Sequence, residues 1–235
     1  MKRAFDILAS ALALIVLSPL LVPLVIILRL TGEGEIFYRQ LRIGRQKHSF
    51  YILKFATMLK NSPSLSGGDI TVAKDPRILP VGRFLRDTKI NELPQLLNIL
   101  FGDMSVIGWR PLTPRVADMF PDSHWEALSN IRPGLSGIGS IVFRDEEALL
   151  SNVADRESVY LTAIVPYKSA LELWYAQHQS LWLDLKLIAM TVLAVLNPQF
   201  DYTRHLPDLP RIPEPLAALR ASASARRNPT GTQVS

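Results

Sequence analysis

The chain contains no cysteine. Disulfide frameworks, thiolate zinc sites, iron–sulfur clusters and a cysteine nucleophile are therefore excluded together. Only four histidines occur, His48, His124, His178 and His205, and none stands at HExxH or another metal-ligand spacing. Neither a Walker A loop nor a GxGxxG turn after a strand is present, so the two commonest nucleotide cradles are missing. Any phosphate chemistry must then rest on Lys, Arg, helix N-termini and a hard cation. Acidic residues are scarce at one end. Residues 1–60 carry nine basic side chains against three acidic ones, while the other 175 hold 17 basic and 18 acidic. The net charge of +5 is thus a property of the N-terminal quarter.

That quarter also holds the longest apolar run. Residues 7–28 are 22 positions without a charge, about 33 Å as a helix and long enough to cross a hydrocarbon core. A secretory signal fits Lys2 and Arg3, but the run is long and no A-x-A-like cleavage site follows. A spanning helix fits the length. Basic residues flank both ends, however, with Lys2 and Arg3 before the run and Arg29, Arg39, Arg42, Arg45 and Lys47 after it. The positive-inside bias places both flanks on the cytoplasmic side, and a re-entrant hairpin satisfies that. Ser18-Pro19 at the midpoint supplies a break, and the Ser18 hydroxyl can meet a carbonyl that the proline leaves without a donor.

Beyond the run, aromatic and basic residues alternate over 36–60, and Phe50-Tyr51-Ile52-Leu53 reads as a strand ending at Lys54 and Phe55. Basic-plus-aromatic sequence can serve nucleic acid, but here it abuts a membrane segment and shows no RRM, KH or HTH pattern, so no nucleic-acid partner is expected. Residues 61–75 read as a loop. Leu93, Leu96, Leu97, Leu100 and Phe101 have helical spacing, with Asn91 as a natural N-cap and Glu92 suited to the positive helix end. Two loops dense in Gly, Pro and Arg follow, at 108–111 and 132–137. A helical stretch from Tyr167 ends with an apolar segment over 181–196, too short to span. It suits an interfacial amphipathic helix or a buried core helix. Residues 197–235 hold 6 of the 17 prolines and read as an extended or disordered tail.

In order along residues 2 to about 196, the chain carries Lys2-Arg3-x-Phe5-Asp6, Ser18-Pro19, Gln40-x-Arg42-x-Gly44 and Lys54-Phe55-x-Thr57-Met58. Asp75-Pro76-Arg77-Ile78, Gly82-Arg83-Phe84-Leu85-Arg86, Glu92-Leu93-Pro94-Gln95-Leu96 and Gly102-Asp103-Met104-Ser105 come next. Gly108-x-Arg110-Pro111, Arg132-Pro133-Gly134-Leu135-Ser136-Gly137 and Trp182-x-Asp184-x-Lys186 complete the series. Each is weak alone, but the ordered set resembles the bacterial sugar transferase family, the small monotopic phosphoglycosyl transferases. The resemblance implies an α/β, mostly helical membrane protein: a re-entrant helix–break–helix over 1–35, a strand-containing cytoplasmic transferase domain over 36–196, and the tail over 197–235. It implies transfer of a sugar-1-phosphate from a UDP-sugar to a polyprenyl phosphate such as undecaprenyl phosphate, with release of UMP and with Mg²⁺ at the diphosphate. That is the first membrane step of surface polysaccharide, exopolysaccharide or O-antigen assembly, at the cytoplasmic face of the bacterial inner membrane. A homo-oligomer is compatible with it, and the sugar is not specified.

In the family an Asp-Glu pair precedes Leu-Pro-Gln. The Asp attacks the β-phosphate and the Glu helps hold the metal. Here the pair reads Asn91-Glu92. By this resemblance Asn91 and Glu92 occupy the catalytic positions, Glu92 is the metal ligand, and Lys54, Arg86, Arg110, Arg132 and Gly134 are the phosphate or substrate binders. An amide cannot easily form an acyl phosphate. The family's Lys-Phe-Arg reads Lys54-Phe55-Ala56, and its Gly-Pro-Arg-Pro reads Gly108-Trp109-Arg110-Pro111. Three readings follow. The chain is an active transferase in which Glu92, Asp75, Asp145 or the lipid phosphate itself attacks; or a membrane scaffold that binds polyprenyl phosphate or UDP-sugar; or Asn91 is only a helix cap, compatible with either.

Overall fold

The computed structural model describes residues 1–62, 75–150, 153–197, 200–206 and 208–227. Of the loop expected over 61–75, residues 63–74 lie outside that set. The described chain is mostly helical with two small sheets, as the sequence implies. Helix α1 (Lys2–Leu30) precedes an antiparallel hairpin of β1 (Phe37–Ile43) and β2 (Ser49–Phe55). Helix α2 (Pro80–Asp87), a 3-10 turn (Ile90–Glu92) and α3 (Gln95–Phe101) lead to β3 (Ser105–Ile107). Short helices α4 (Pro114–Ala117) and α5 (Asp122–Leu128) precede β4 (Gly134–Ser136), which pairs in parallel with β3. Helices α6 (Ile138–Val142), α7 (Glu146–Leu150) and α8 (Arg156–Val159) follow. A π-helical turn (Tyr160–Ile164) then runs into α9 (Val165–His178), with α10 (Leu181–Leu196) and α11 (Glu214–Arg227) closing the chain.

Helix α1 is one uninterrupted element through Pro19 and Pro23, which replaces the helix–break–helix expected at Ser18-Pro19. The reason is local. Pro19 has no N–H to give the Ile15 carbonyl, and the Ser18 hydroxyl donates to that carbonyl at 2.8 Å, so the turn is bridged rather than opened. One face of α1 lies along the body for its whole length. Lys2 donates to the Ile107 carbonyl, Arg3 to the Ile99 and Leu100 carbonyls, and Asp6 accepts from Ser105 Oγ and the Val106 amide. Ala13, Leu14 and Leu17 pack on Ile52, Leu96, Ile99 and Met104, and Leu24 and Leu28 are buried with Phe55 and Leu85. The opposite face exposes Leu8, Leu12, Ile15, Val16, Val22 and Ile26. A helix of 29 residues is about 43 Å long. Both ends pack on the same body, as a monotopic arrangement requires. The monotopic arrangement thus survives without the break.

The main core lies under α9 and α10. Trp109, Leu128, Ile138, Leu171, Tyr175 and Leu187 are fully buried there. Helix α10 has two apolar faces. Leu183, Leu187 and Met190 turn inward while Trp182, Leu185, Val192 and Leu196 are exposed, so it combines both readings that the sequence left open. The parallel pairing of β3 and β4 brings the two glycine-bearing loops backbone to backbone. A Cβ on Gly108 would meet the Arg132 carbonyl at 2.2 Å, and one on Gly134 would meet the Gly108 nitrogen at 2.1 Å. Only glycine permits that approach. The proline-rich segment expected to be an extended tail differs as well. Leu206 and Leu216 are buried in the main core, and Arg220 donates to the Val142 carbonyl at 2.7 Å. Its few apolar side chains are spaced to cap the core, which composition alone does not reveal. Residues 228–235 lie outside the described set.

Candidate active site

Five elements converge on a cavity of about 840 Å³, within the range of small-molecule sites. Lys54 enters from the end of β2, Arg86 from α2, Arg110 from the loop after β3, and Asn91 and Glu92 from the 3-10 turn, with Lys168 and Glu172 on α9. The 3-10 turn is set by Lys89, whose left-handed backbone (φ 59°) turns the chain sharply out of α2. A non-glycine residue there is uncommon and is found where the surrounding structure over-determines it.

Glu92 Oε1 takes two cations, Arg110 Nη2 at 3.3 Å and Lys54 Nζ at 3.6 Å. Burial alone pushes the Glu92 carboxyl up, but the positive charges of Arg110, Lys54 and Lys89 and the Arg110 hydrogen bond outweigh it, holding the group at about 2. Glu92 is therefore a fixed anion. Burial pushes Lys54 down to about 8; Glu92 opposes that, while Arg110, Arg42 and Arg86 add to it. Glu92 raises Arg110 against its burial.

Beside Glu92, Asn91 is buried and its Oδ1 has no hydrogen-bond partner among the described residues. It is not a helix cap: Pro94 caps α3, without a side-chain bond. Among the described residues no three His, Asp or Glu side chains cluster as a complete metal cage. Mg²⁺ needs no such cage, since it takes one or two protein oxygens and completes its shell with substrate phosphates and water. An anionic carboxylate and an adjacent amide oxygen without a protein partner fit that donor set.

Deeper along the wall, Glu172 is buried. Its Oε1 accepts from the Arg110 backbone N–H at 3.3 Å, and burial pushes it up to about 8, against the Arg110 N–H bond and the charges of Lys168 and Arg110. Lys168, one turn away, donates to Glu146 and sits over the Phe143 and Tyr160 rings.

Of the residues predicted from sequence, the structure thus brings Lys54, Arg86, Arg110, Asn91 and Glu92 together. Arg132 and Gly134 fall elsewhere. Arg132 donates to the Gly102 carbonyl at 2.8 Å and, with Arg3, satisfies the carbonyl end of α3; Gly134 is a backbone contact in β4. Asp75 is clamped by Arg77 through Oδ1 at 2.9 Å and Oδ2 at 2.6 Å, and Asp145 pairs with Arg144; neither lines the cavity. Trp109, which departs from the family's proline, is buried with its indole N–H on the Ile131 carbonyl. Ala56 lines the cavity where the family has Arg. Lys168 and Glu172 were missed. They are single charged residues on a helix of mixed character, with no motif around them.

The family model for bacterial sugar transferases matches residues 1–198. An exopolysaccharide production protein (ExoY) of Sinorhizobium fredii is 35% identical, over 86% of this chain and 88% of that protein. An undecaprenyl-phosphate glucose phosphotransferase of Komagataeibacter xylinus is 33% identical over 81% of this chain and 35% of its own length. A UDP-glucose:undecaprenyl-phosphate glucose-1-phosphate transferase of Klebsiella pneumoniae is 33% identical over 81% and 39%. The latter two are much longer proteins that share this portion.

Proposed function

The chain belongs to the bacterial sugar transferase family, and from that premise we propose that it transfers a sugar-1-phosphate from a UDP-sugar to a membrane polyprenyl phosphate, releasing UMP. The supporting observation is a fixed carboxylate, Glu92, bracketed by Lys54 and Arg110 in a cavity beside a helix with one face on the body and an apolar face outward. The setting is the cytoplasmic face of the bacterial inner membrane.

The acceptor attacks directly. An oxygen of the polyprenyl phosphate bonds to the β-phosphorus, the bond from that phosphorus to the bridging oxygen breaks, and UMP leaves with the electron pair. The alternatives from this chain are poor. Asn91 has no anionic oxygen, Asp75 and Asp145 are paired with arginines and do not line the cavity, and the Glu92 carboxylate is engaged by two cations. Lys54, Arg86 and Arg110 draw the diphosphate in and offset the charge that gathers on the leaving UMP. Asn91 Oδ1 and Glu92 would hold Mg²⁺, which supplies charge neutralisation at the diphosphate when bound.

Lys54 sets an alkaline limit. Below about 8 it is protonated and binds phosphate; above about 8 it loses its charge, so kcat/KM falls as pH rises through that value. Lys54→Arg should carry this limb upward by about one unit or more. An unmoved limb would assign it to Glu172, the other cavity group held near 8.

The test of the function is UMP release from a panel of radiolabelled UDP-sugars with polyprenyl phosphate and Mg²⁺ in detergent. Lipid-linked product with at least one sugar is expected. Membrane-bound protein that binds UDP-sugar but yields neither UMP nor product would favour the scaffold reading instead.

A further inference from the structure

Among the described residues, Glu172 is the one buried carboxyl of the cavity wall that the transfer chemistry does not use. It lies on α9, fixed by two contacts. Its Oε1 accepts from the Arg110 N–H at 3.3 Å and sits so close to Gly139 that a Cβ there would be 2.6 Å away. The residue is 7% exposed. Its other oxygen, Oε2, is buried without a hydrogen-bond partner among the described residues. A carboxyl held in one orientation with an unmet oxygen is costly, so the arrangement calls for a ligand group that hydrogen-bonds there.

Arg110 tells which part of the donor that is. Its guanidinium faces Glu92 at the phosphate end, while its backbone N–H faces Glu172. Glu172 therefore lies at the backbone end of Arg110 and Glu92 at its guanidinium end. A phosphate oxygen suits the carboxyl only when it is protonated, whereas a hydroxyl both donates and accepts and suits either protonation state. The Lys168 ammonium covers one face of Phe143 and of Tyr160 at 5.2 and 5.3 Å, so those faces are closed to a stacked base.

We propose that Glu172 is a sugar-binding residue, its Oε2 hydrogen-bonding a hydroxyl of the transferred sugar, with Arg110 and Gly139 holding it in place. The inference rests on the transferase reading and adds a specificity element to the same cavity.

The test uses the full chain in lipid nanodiscs and isothermal titration with UDP and with UDP-glucose, UDP-galactose and their N-acetylated counterparts. Glu172→Met keeps the length of the side chain and removes both oxygens. Its Kd for the best-bound UDP-sugar should rise by about tenfold with the Kd for UDP unchanged. Glu172→Asp, which withdraws the carboxyl by one carbon, should shift the same comparison in the same direction and decides the matter if the Met variant does not fold. Equal weakening of UDP and UDP-sugar would assign Glu172 to the nucleotide and overturn the proposal, as would unchanged sugar affinity in a folded variant. Wild-type protein that binds UDP but none of the four sugars any differently overturns this assignment alone. Failure to bind either UDP or a UDP-sugar overturns the transferase reading with it.

Discussion

Replacing Glu92 with Gln is expected to lower kcat for UMP release by at least about a hundredfold in a chain that still folds, at a lower melting temperature because two cations lose their counter-charge. The substitution preserves shape but removes the anion that Lys54 and Arg110 flank at 3.6 and 3.3 Å. Three consequences then act together. The two cations lose the counter-charge that positions them, Lys54 loses the partner that opposes its burial, and the carboxylate proposed to hold Mg²⁺ is gone. Glu92 stays ionised down to about 2, so its charge is lost at every working pH, and the loss should deepen as pH rises because Lys54 without Glu92 gives up its proton below about 8. Steady-state kinetics with excess donor and acceptor, alongside a thermal melt, separates this from unfolding. Undiminished turnover in Glu92→Gln would remove Glu92 from the chemistry.

The second large effect is structural. Asp184→Ala should destabilise the chain by about 3 kcal/mol or more. Asp184 is 1% exposed and ties α1 to the core. Its Oδ2 meets Lys2 Nζ at 2.5 Å and its Oδ1 accepts from Tyr175 OH at 2.6 Å, while Lys2 also donates to the Ile107 carbonyl at 2.9 Å. Removing the carboxylate leaves the Lys2 ammonium without its counter-charge and the buried Tyr175 phenol with only a longer donation to the Ile107 carbonyl at 3.4 Å. Lys2→Ala should cost somewhat less, because that side chain keeps 28% exposure, and the double variant should fall well short of the sum. Denaturant unfolding in detergent measures all three. Additive losses would mean that the pair is not what fastens the membrane helix to the body.

These two residues also mark what the sequence made legible. Lys2-Arg3 and Asp184 were both visible as motif positions, but their pairing across 182 residues of chain was not, since no local pattern encodes it. Glu92, Lys54, Arg86 and Arg110 could be read as one site because each stands in a short motif whose residue types suit phosphate. Arg132 and Gly134 stand in an equally clear motif, yet they serve the fold: the arginine caps the α3 carbonyls and the glycine allows β4 to touch Gly108. A motif shows that a position is constrained, not by what. Pro19 misled for a different reason. Its effect on a helix depends on whether a neighbour replaces the missing hydrogen bond, and Ser18 does so. Leu206 and Leu216 were hidden by a proline-rich setting that resembles a disordered tail. Glu172 left no trace at all, because its meaning comes from a buried oxygen without a partner, which only packing can create.

Asn91 decides the mechanism, since the proposed direct attack follows from an amide standing where the family has its nucleophilic Asp. The direct measurement is isotope exchange between labelled UMP and UDP-sugar in the absence of polyprenyl phosphate. A covalent phosphosugar-enzyme would catalyse that exchange; direct attack requires the acceptor for any UMP to form or return. No exchange and no UMP are expected until polyprenyl phosphate is added, with Asn91→Asp acquiring acceptor-independent exchange. Exchange by the unaltered protein without acceptor, together with a phosphosugar mass on the intact chain, would contradict it.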